Sequence, residues 1–278
     1  MAPSADISET LEQMVDRLRP ASRRAVVEAG GAQLAILRDL GPKTVPSTRA
    51  GVAAAIDHTL LKPGSTPVQI DRLCAEALEH RFAAVRVNPQ YAGRAAQALA
   101  GSGIAVACVV GFPLGATTPE AKAVEAEQAV QAGANEIEMV VDLGHLKSGD
   151  YRDVALDILA VVRRCHERRA LVKIILETAL LSQSEKVAGC LISAEAGADF
   201  VSTSTGFGPG GATADDVSLL RRVVGPSLGV AAAGGIRSFS EAHALLMAGA
   251  TRLGTSSGVE IVKQAAGAAE EGRQPASG

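Results

Sequence analysis

From about residue 52 onward the chain alternates between two hydrophobic patterns. Short, nearly continuous apolar runs predict strands buried on both faces at 52–57, 82–87, 104–110, 136–141, 171–176, 200–204, 228–232 and 251–254. Between them, apolar positions recur three to four residues apart and predict amphipathic helices at 67–80, 119–132, 151–164, 183–196, 214–224 and 238–248. Eight strands alternating with helices predict a (β/α)8 TIM barrel over residues 51–265. An open doubly wound sheet is the competing arrangement, but no Gly-x-Gly-x-x-Gly run follows the first strand. Residues 1–50 differ from the rest. Ile7, Leu11, Met14, Val15 and Leu18 fall at helical spacing, Pro20 ends that segment, and a second helical piece follows to Leu40. They predict a helical N-terminal extension whose apolar stripe packs on the barrel or on a second copy, which suggests a homo-oligomer, a dimer. Residues 266–278 are poor in bulky apolar side chains and predict a disordered tail.

The run Leu171-Val172-Lys173-Ile174-Ile175-Leu176-Glu177-Thr178 breaks the apolar pattern with a lysine. Burying an ammonium costs several kcal/mol unless it is paired or loses its proton. A neutral buried amine is a nucleophile toward carbonyl carbon and forms a Schiff base. The alternative is an ion pair with a carboxylate, or a side chain that reaches the strand end. In a barrel, reactive side chains stand at the C-terminal ends of strands. The neighbouring strands, about 4.8 Å away, carry Glu138 and Ser202 in a phase that lets both share the interior with Lys173.

Composition narrows the partners. Only 3% of residues are aromatic while 47% are hydrophobic, so the core is built from Ala, Val, Leu and Ile. A net charge of -3 gives no footprint for nucleic acid. Cys74, Cys108, Cys165 and Cys190 are scattered without a Cys-x-x-Cys pair and read as reduced, buried thiols. No apolar run reaches the roughly 18 residues that span a bilayer, and no signal-peptide pattern opens the chain, so a cytoplasmic protein is expected.

Three glycine-containing turns close predicted strands: residues 205–211, 234–237 and 254–258. The last two follow strands seven and eight. Their backbone N–H groups, with serine hydroxyls added, suit a phosphate cradle.

Several blocks in order carry a family resemblance: Ile56-Asp57-His58-Thr59-Leu60-Leu61-Lys62-Pro63, Val87-Asn88-Pro89, Gly111-Phe112-Pro113-Leu114-Gly115, the Lys173 strand, Thr203-Ser204-Thr205-Gly206-Phe207, Gly234-Gly235-Ile236-Arg237 and Gly254-Thr255-Ser256-Ser257-Gly258. Over residues 52–264 the chain resembles the deoxyribose-phosphate aldolase family, class I aldolases that join acetaldehyde to glyceraldehyde 3-phosphate. The resemblance implies a barrel without metal or other cofactor and a small carbonyl or sugar-phosphate substrate; charge and the lack of a long apolar run lead to no nucleic-acid or membrane partner being expected. It also marks departures. The family's Schiff-base lysine position is Ser202, its second lysine position is Ala231, its relay aspartate is Glu138, and a frequent cysteine is Arg86. Lys173 matches a different family lysine on strand five.

The expected catalytic set is therefore Lys173 as nucleophile or charge stabiliser, Glu138 in proton transfer, and Asp57 and Ser202 ordering water or hydroxyls. The expected binding set is Arg86, Thr203, Thr205, Gly206, Gly234, Gly235, Gly254, Ser256 and Ser257, with Arg86 available for a substrate carboxylate. Two other readings fit the same residues. One is a non-catalytic sensor or scaffold for a sugar phosphate. The other is a Glu138-based isomerisation or elimination without a Schiff base.

Overall fold

The computed structural model describes residues 46, 48–226 and 228–271. Its strands are β1 (Ile56–Leu60), β2 (Ala84–Val87), β3 (Ala105–Val110), β4 (Glu136–Val140), β5 (Leu171–Ile175), β6 (Phe200–Ser202), β7 (Gly229–Ala233) and β8 (Arg252–Thr255). They close a barrel in sequence order, and each pairs in parallel with the next, β8 returning to β1. The predicted (β/α)8 barrel is the observed fold.

The period of two along each strand divides the core. Val85, Val87, Cys108, Ile137, Met139, Val172, Ile174, Val201, Val230 and Leu253 face outward and pack under the helices. The residues between them face the lumen. The helices are started by local chemistry. Pro67 and Pro119 open theirs at positions where the missing N–H costs nothing. Ser182 and Ser238 form capping boxes with Glu185 and Glu241. All four cysteines are free and buried. Among the described residues no helix is long and apolar enough to cross a membrane.

Two boundaries and two short helices differ from the sequence expectation. The run at 52–57 begins as a helix, Arg49–Ala53, and β1 starts only at Ile56. Thr48 caps that helix by accepting from Gly51 N, and the Ala-rich run satisfies a helix as well as a strand. Short helices at Ala92–Ala98 and Leu143–Ser148 were not predicted, because neither is long enough to show a periodic stripe. The last helix, Gly258–Glu271, runs past residue 265, where the tail was expected to begin. Ile261, Val262 and Ala265 bury one face of it, and the helix carries on beyond that anchor. The helical extension expected over residues 1–50, with the dimer contact built on it, lies almost wholly outside the described residues.

The floor of the lumen is tightly filled. A Cβ on Gly229 of β7 would lie 2.0 Å from the Phe200 ring on β6. Gly229→Ala is expected to destabilise the barrel by about 1–3 kcal/mol through overpacking. Gly64→Ala, where a Cβ meets nothing within 4 Å, is expected to change stability by less than about 0.5 kcal/mol. Urea unfolding of both variants checks the pair.

Candidate functional site

The lumen holds six charged side chains in one connected network. Lys173 of β5 is fully buried. Its Nζ lies 2.7 Å from Asp57 Oδ2 on β1, 2.7 Å from Glu136 Oε2 and 3.2 Å from Glu138 Oε1 on β4. Arg252 of β8 donates from Nε to Asp57 Oδ1 at 2.6 Å, and from Nη1 and Nη2 to the two Glu136 oxygens at 3.0 Å each. Arg86 of β2 places Nε 2.7 Å from Glu138 Oε2. Three anions thus meet three cations.

For Lys173, Asp57 and Arg252 burial disfavours the charge, and the pairing overrides it. For Lys173, burial lowers the pKa, but Asp57, Glu138 and Glu136 together hold the ammonium above its ordinary value. For Asp57, burial pulls upward, but Lys173 and Arg252 hold the carboxyl below its ordinary 3.8. Arg252 is likewise held above its usual range against burial by Asp57 and Glu136. Lys173 is a permanent cation at neutral pH, 5.4 Å from the centre of the Phe200 ring.

Above this network, at the C-terminal ends of the strands, opens a cavity of about 350 Å³. Its wall comes from the ends of β1, β2 and β6–β8 and the turns that follow them. Three cations line it, Lys62, Arg86 and Arg237, and no carboxylate does. Gly206, Gly234 and Gly235 have φ of 84°, 90° and 82°, a left-handed conformation that glycine adopts without strain. The turn after β6 lies directly on the turn after β7: a Cβ on Gly211 would be 2.3 Å from Gly234 O. Glu177, at φ 52°, fixes that first turn by accepting from Thr205 N at 3.1 Å and from the Thr205 hydroxyl. Phe207 covers one side, edge-on to Phe112 with centroids 5.3 Å apart.

Of the residues expected to bind substrate, Arg86, Thr205, Gly206, Gly234, Gly235, Gly254 and Ser256 line this cavity. Thr203 does not. Its hydroxyl clamps β6 to β7, donating to Ala233 O and accepting from Ala233 N. Ser257 lies instead on a neighbouring cavity of about 510 Å³ beside His58 and Glu76, and Ser256 borders both. None of the expected catalytic residues Lys173, Glu138, Asp57 and Ser202 is part of the cavity wall. The first three are joined in the ion network. Ser202 stands in register with Ile175 and Ala231, a step nearer the strand ends than Lys173, and its buried Oγ has no hydrogen-bond partner. Sequence reasoning missed Arg252, Glu136 and Glu177, and did not single out Lys62 or Arg237. A charge at a lumen-facing position of a strand was the available signal for the first two.

Comparison with known proteins follows the same outline. The profile of the DeoC/LacD family of aldolases matches residues 51–264. A deoxyribose-phosphate aldolase of Streptococcus gordonii is 55% identical over 208 residues, 75% of this chain and 94% of that protein. One from Halalkalibacterium halodurans is 54% identical over 212 residues, 76% and 94% of the two chains. Among solved structures, the tetrameric deoxyribose phosphate aldolase of Aeropyrum pernix superposes with a TM-score of 0.74 at 33% identity, covering 78% of this chain and 92% of that one.

Removing one member of the network leaves the others buried and unbalanced. Lys173→Met is expected to cost about 3–5 kcal/mol in chemical unfolding at pH 7. The pH dependence follows from Asp57. Its carboxyl is held low in the folded state, so its contribution is complete above its ordinary 3.8 and is lost as pH falls through the folded value. In Lys173→Met that lowering is weakened, and the acid loss of stability is expected to begin at higher pH. An unchanged midpoint and acid limb would show that the network is not stabilising.

Proposed function

The chain belongs to the DeoC/LacD family of aldolases, and from that premise we propose that it binds a phosphorylated sugar or short phosphorylated aldehyde and acts at the carbonyl end without a lysine imine. The observation that carries the first half is the cavity itself, lined by Lys62, Arg86 and Arg237 with no carboxylate. A dianionic phosphate suits the turns after β7 and β8, where Gly234, Gly235 and Ser256 let backbone N–H groups approach it, while Gly254 leaves room for Arg86. The volume, about 350 Å³, is at the small end of ligand pockets and suits a three- to five-carbon phosphate.

The second half rests on Lys173. An imine requires a neutral amine with access to the carbonyl carbon. Lys173 is charged, encircled by three carboxylates and absent from the cavity wall. Its role in this reading is that of a charge stabiliser, paired with Asp57, Glu136 and Glu138. Ser202 and Ala231, the two positions at which the resemblance expects lysines, are neighbours in register and offer no amine. Of the three cations on the cavity wall, Arg86 is the one joined to the network below, through Glu138. In an aldol cleavage the C–C bond electrons pass to the carbonyl oxygen, and Arg86 is the cation available to hold that developing charge. Glu138 lies behind Arg86 and off the cavity wall, so in this reading the hydroxyl proton reaches it through an intervening water.

One observation favours a second reading, in which the protein is a non-catalytic sensor or scaffold for the same ligand. Both Glu138 oxygens are already paired, Oε2 with Arg86 and Oε1 with Lys173, so neither is left open to a substrate.

Calorimetric titration with 2-deoxyribose 5-phosphate is expected to show saturable binding, weakened about tenfold in Arg237→Ala and reduced by added salt. Borohydride reduction during incubation is expected to leave the intact mass unchanged. A reduced adduct on any lysine would overturn the imine-free proposal. Aldehyde release that Arg86→Gln abolishes supports the enzyme; binding with no release supports the sensor.

A further inference from the structure

The cavity has a cation whose hydrogen-bonding capacity is partly unspent. Arg86 is only 2% exposed, yet it lines the cavity wall. Its Nε is ion-paired with Glu138 at 2.7 Å, but out of line for a hydrogen bond. Neither Nε nor Nη2 has a hydrogen-bond partner. A guanidinium carries five N–H donors in a planar fork, and buried donors of this kind are ordinarily satisfied.

The surroundings make room for this group and do not neutralise it fully. Gly254 of β8 is where the fork arrives: a Cβ there would stand 2.8 Å from Nη1. The other two lumen cations are committed to Asp57 and Glu136, and Glu138 is shared with Lys173. Two further buried hydroxyls, Ser202 Oγ and Ser204 Oγ at the C-terminal end of β6, also lack hydrogen-bond partners. A carbonyl oxygen could take one or two of these donors but brings no charge. A carboxylate brings both the charge and the bidentate geometry that a guanidinium fork matches.

Taking the cavity as a phosphate site, as in the reading above, we propose that its preferred ligand is a phosphorylated acid, with a carboxylate on Arg86 at the end away from the phosphate. Arg86 is then the residue that selects sugar-acid or keto-acid phosphates over neutral aldose phosphates. Lysine at this position would keep the charge opposite Glu138 but lose the fork.

The test is a matched pair, 2-deoxyribose 5-phosphate and 2-deoxyribonate 5-phosphate, titrated calorimetrically into the full chain. The acid is expected to bind at least about tenfold tighter. That ratio is expected to fall below about threefold in Arg86→Lys and Arg86→Gln. Equal affinities in the unaltered protein overturn the proposal, whatever becomes of the variants. So does a preference for the acid that both variants keep. Binding of the aldose phosphate with no preference for the acid removes only the carboxylate inference. Failure of both ligands to bind removes the phosphate reading with it.

Discussion

A buried ammonium among three carboxylates is the interaction around which this barrel is arranged. Lys173 sits with Asp57, Glu136 and Glu138 within 3.2 Å, and Arg252 and Arg86 close the charge balance. Ions of this kind are each costly to desolvate, and only near-complete mutual pairing makes the lumen tolerable. The network ties β1, β2, β4, β5 and β8 across the interior, where an apolar core would impose no such register.

That pairing also decides what the lysine can do. The field that makes Lys173 stable in the interior keeps its proton on. A residue cannot be both the hub of a charge-balanced network and a free amine at neutral pH. In the proposed reading chemistry therefore moves outward, to the cavity at the strand ends, where Arg86 links the two regions. It touches Glu138 below and lines the cavity above. Around it the glycine turns after β6 and β7 lie backbone to backbone, held by Glu177, so that wall of the cavity is fixed by the fold.

Much of this was legible in the chain. Continuous apolar runs and intervening helical stripes carried the barrel, because burial on both faces of a parallel sheet leaves few polar positions. Gly206, Gly234 and Gly235 were legible as cavity turns for a reason specific to glycine, since each adopts a positive φ. The start of β1 was not legible: Val52-Ala53-Ala54-Ala55 suits helix or strand, and its first residues fall in the Thr48-capped helix. Thr203 and Ser257 carried the right residue types, but a backbone clamp and a position on the adjoining cavity explain where they are found.

The sequence by itself determined the alternation of strand and helix, the positions of the glycine turns, and the presence of charges at strand positions that had to face inward. It did so because periodicity and backbone permissiveness are local properties. Only the closed tertiary structure decided which of those charges meet. Lys173 and Asp57 are 116 residues apart in the chain, and Arg252 and Asp57 are 195 apart. Their contact depends on the stagger of eight strands around a common axis. That stagger made Lys173 a paired cation and left Arg86 as the one partly unsatisfied lumen cation among the described residues.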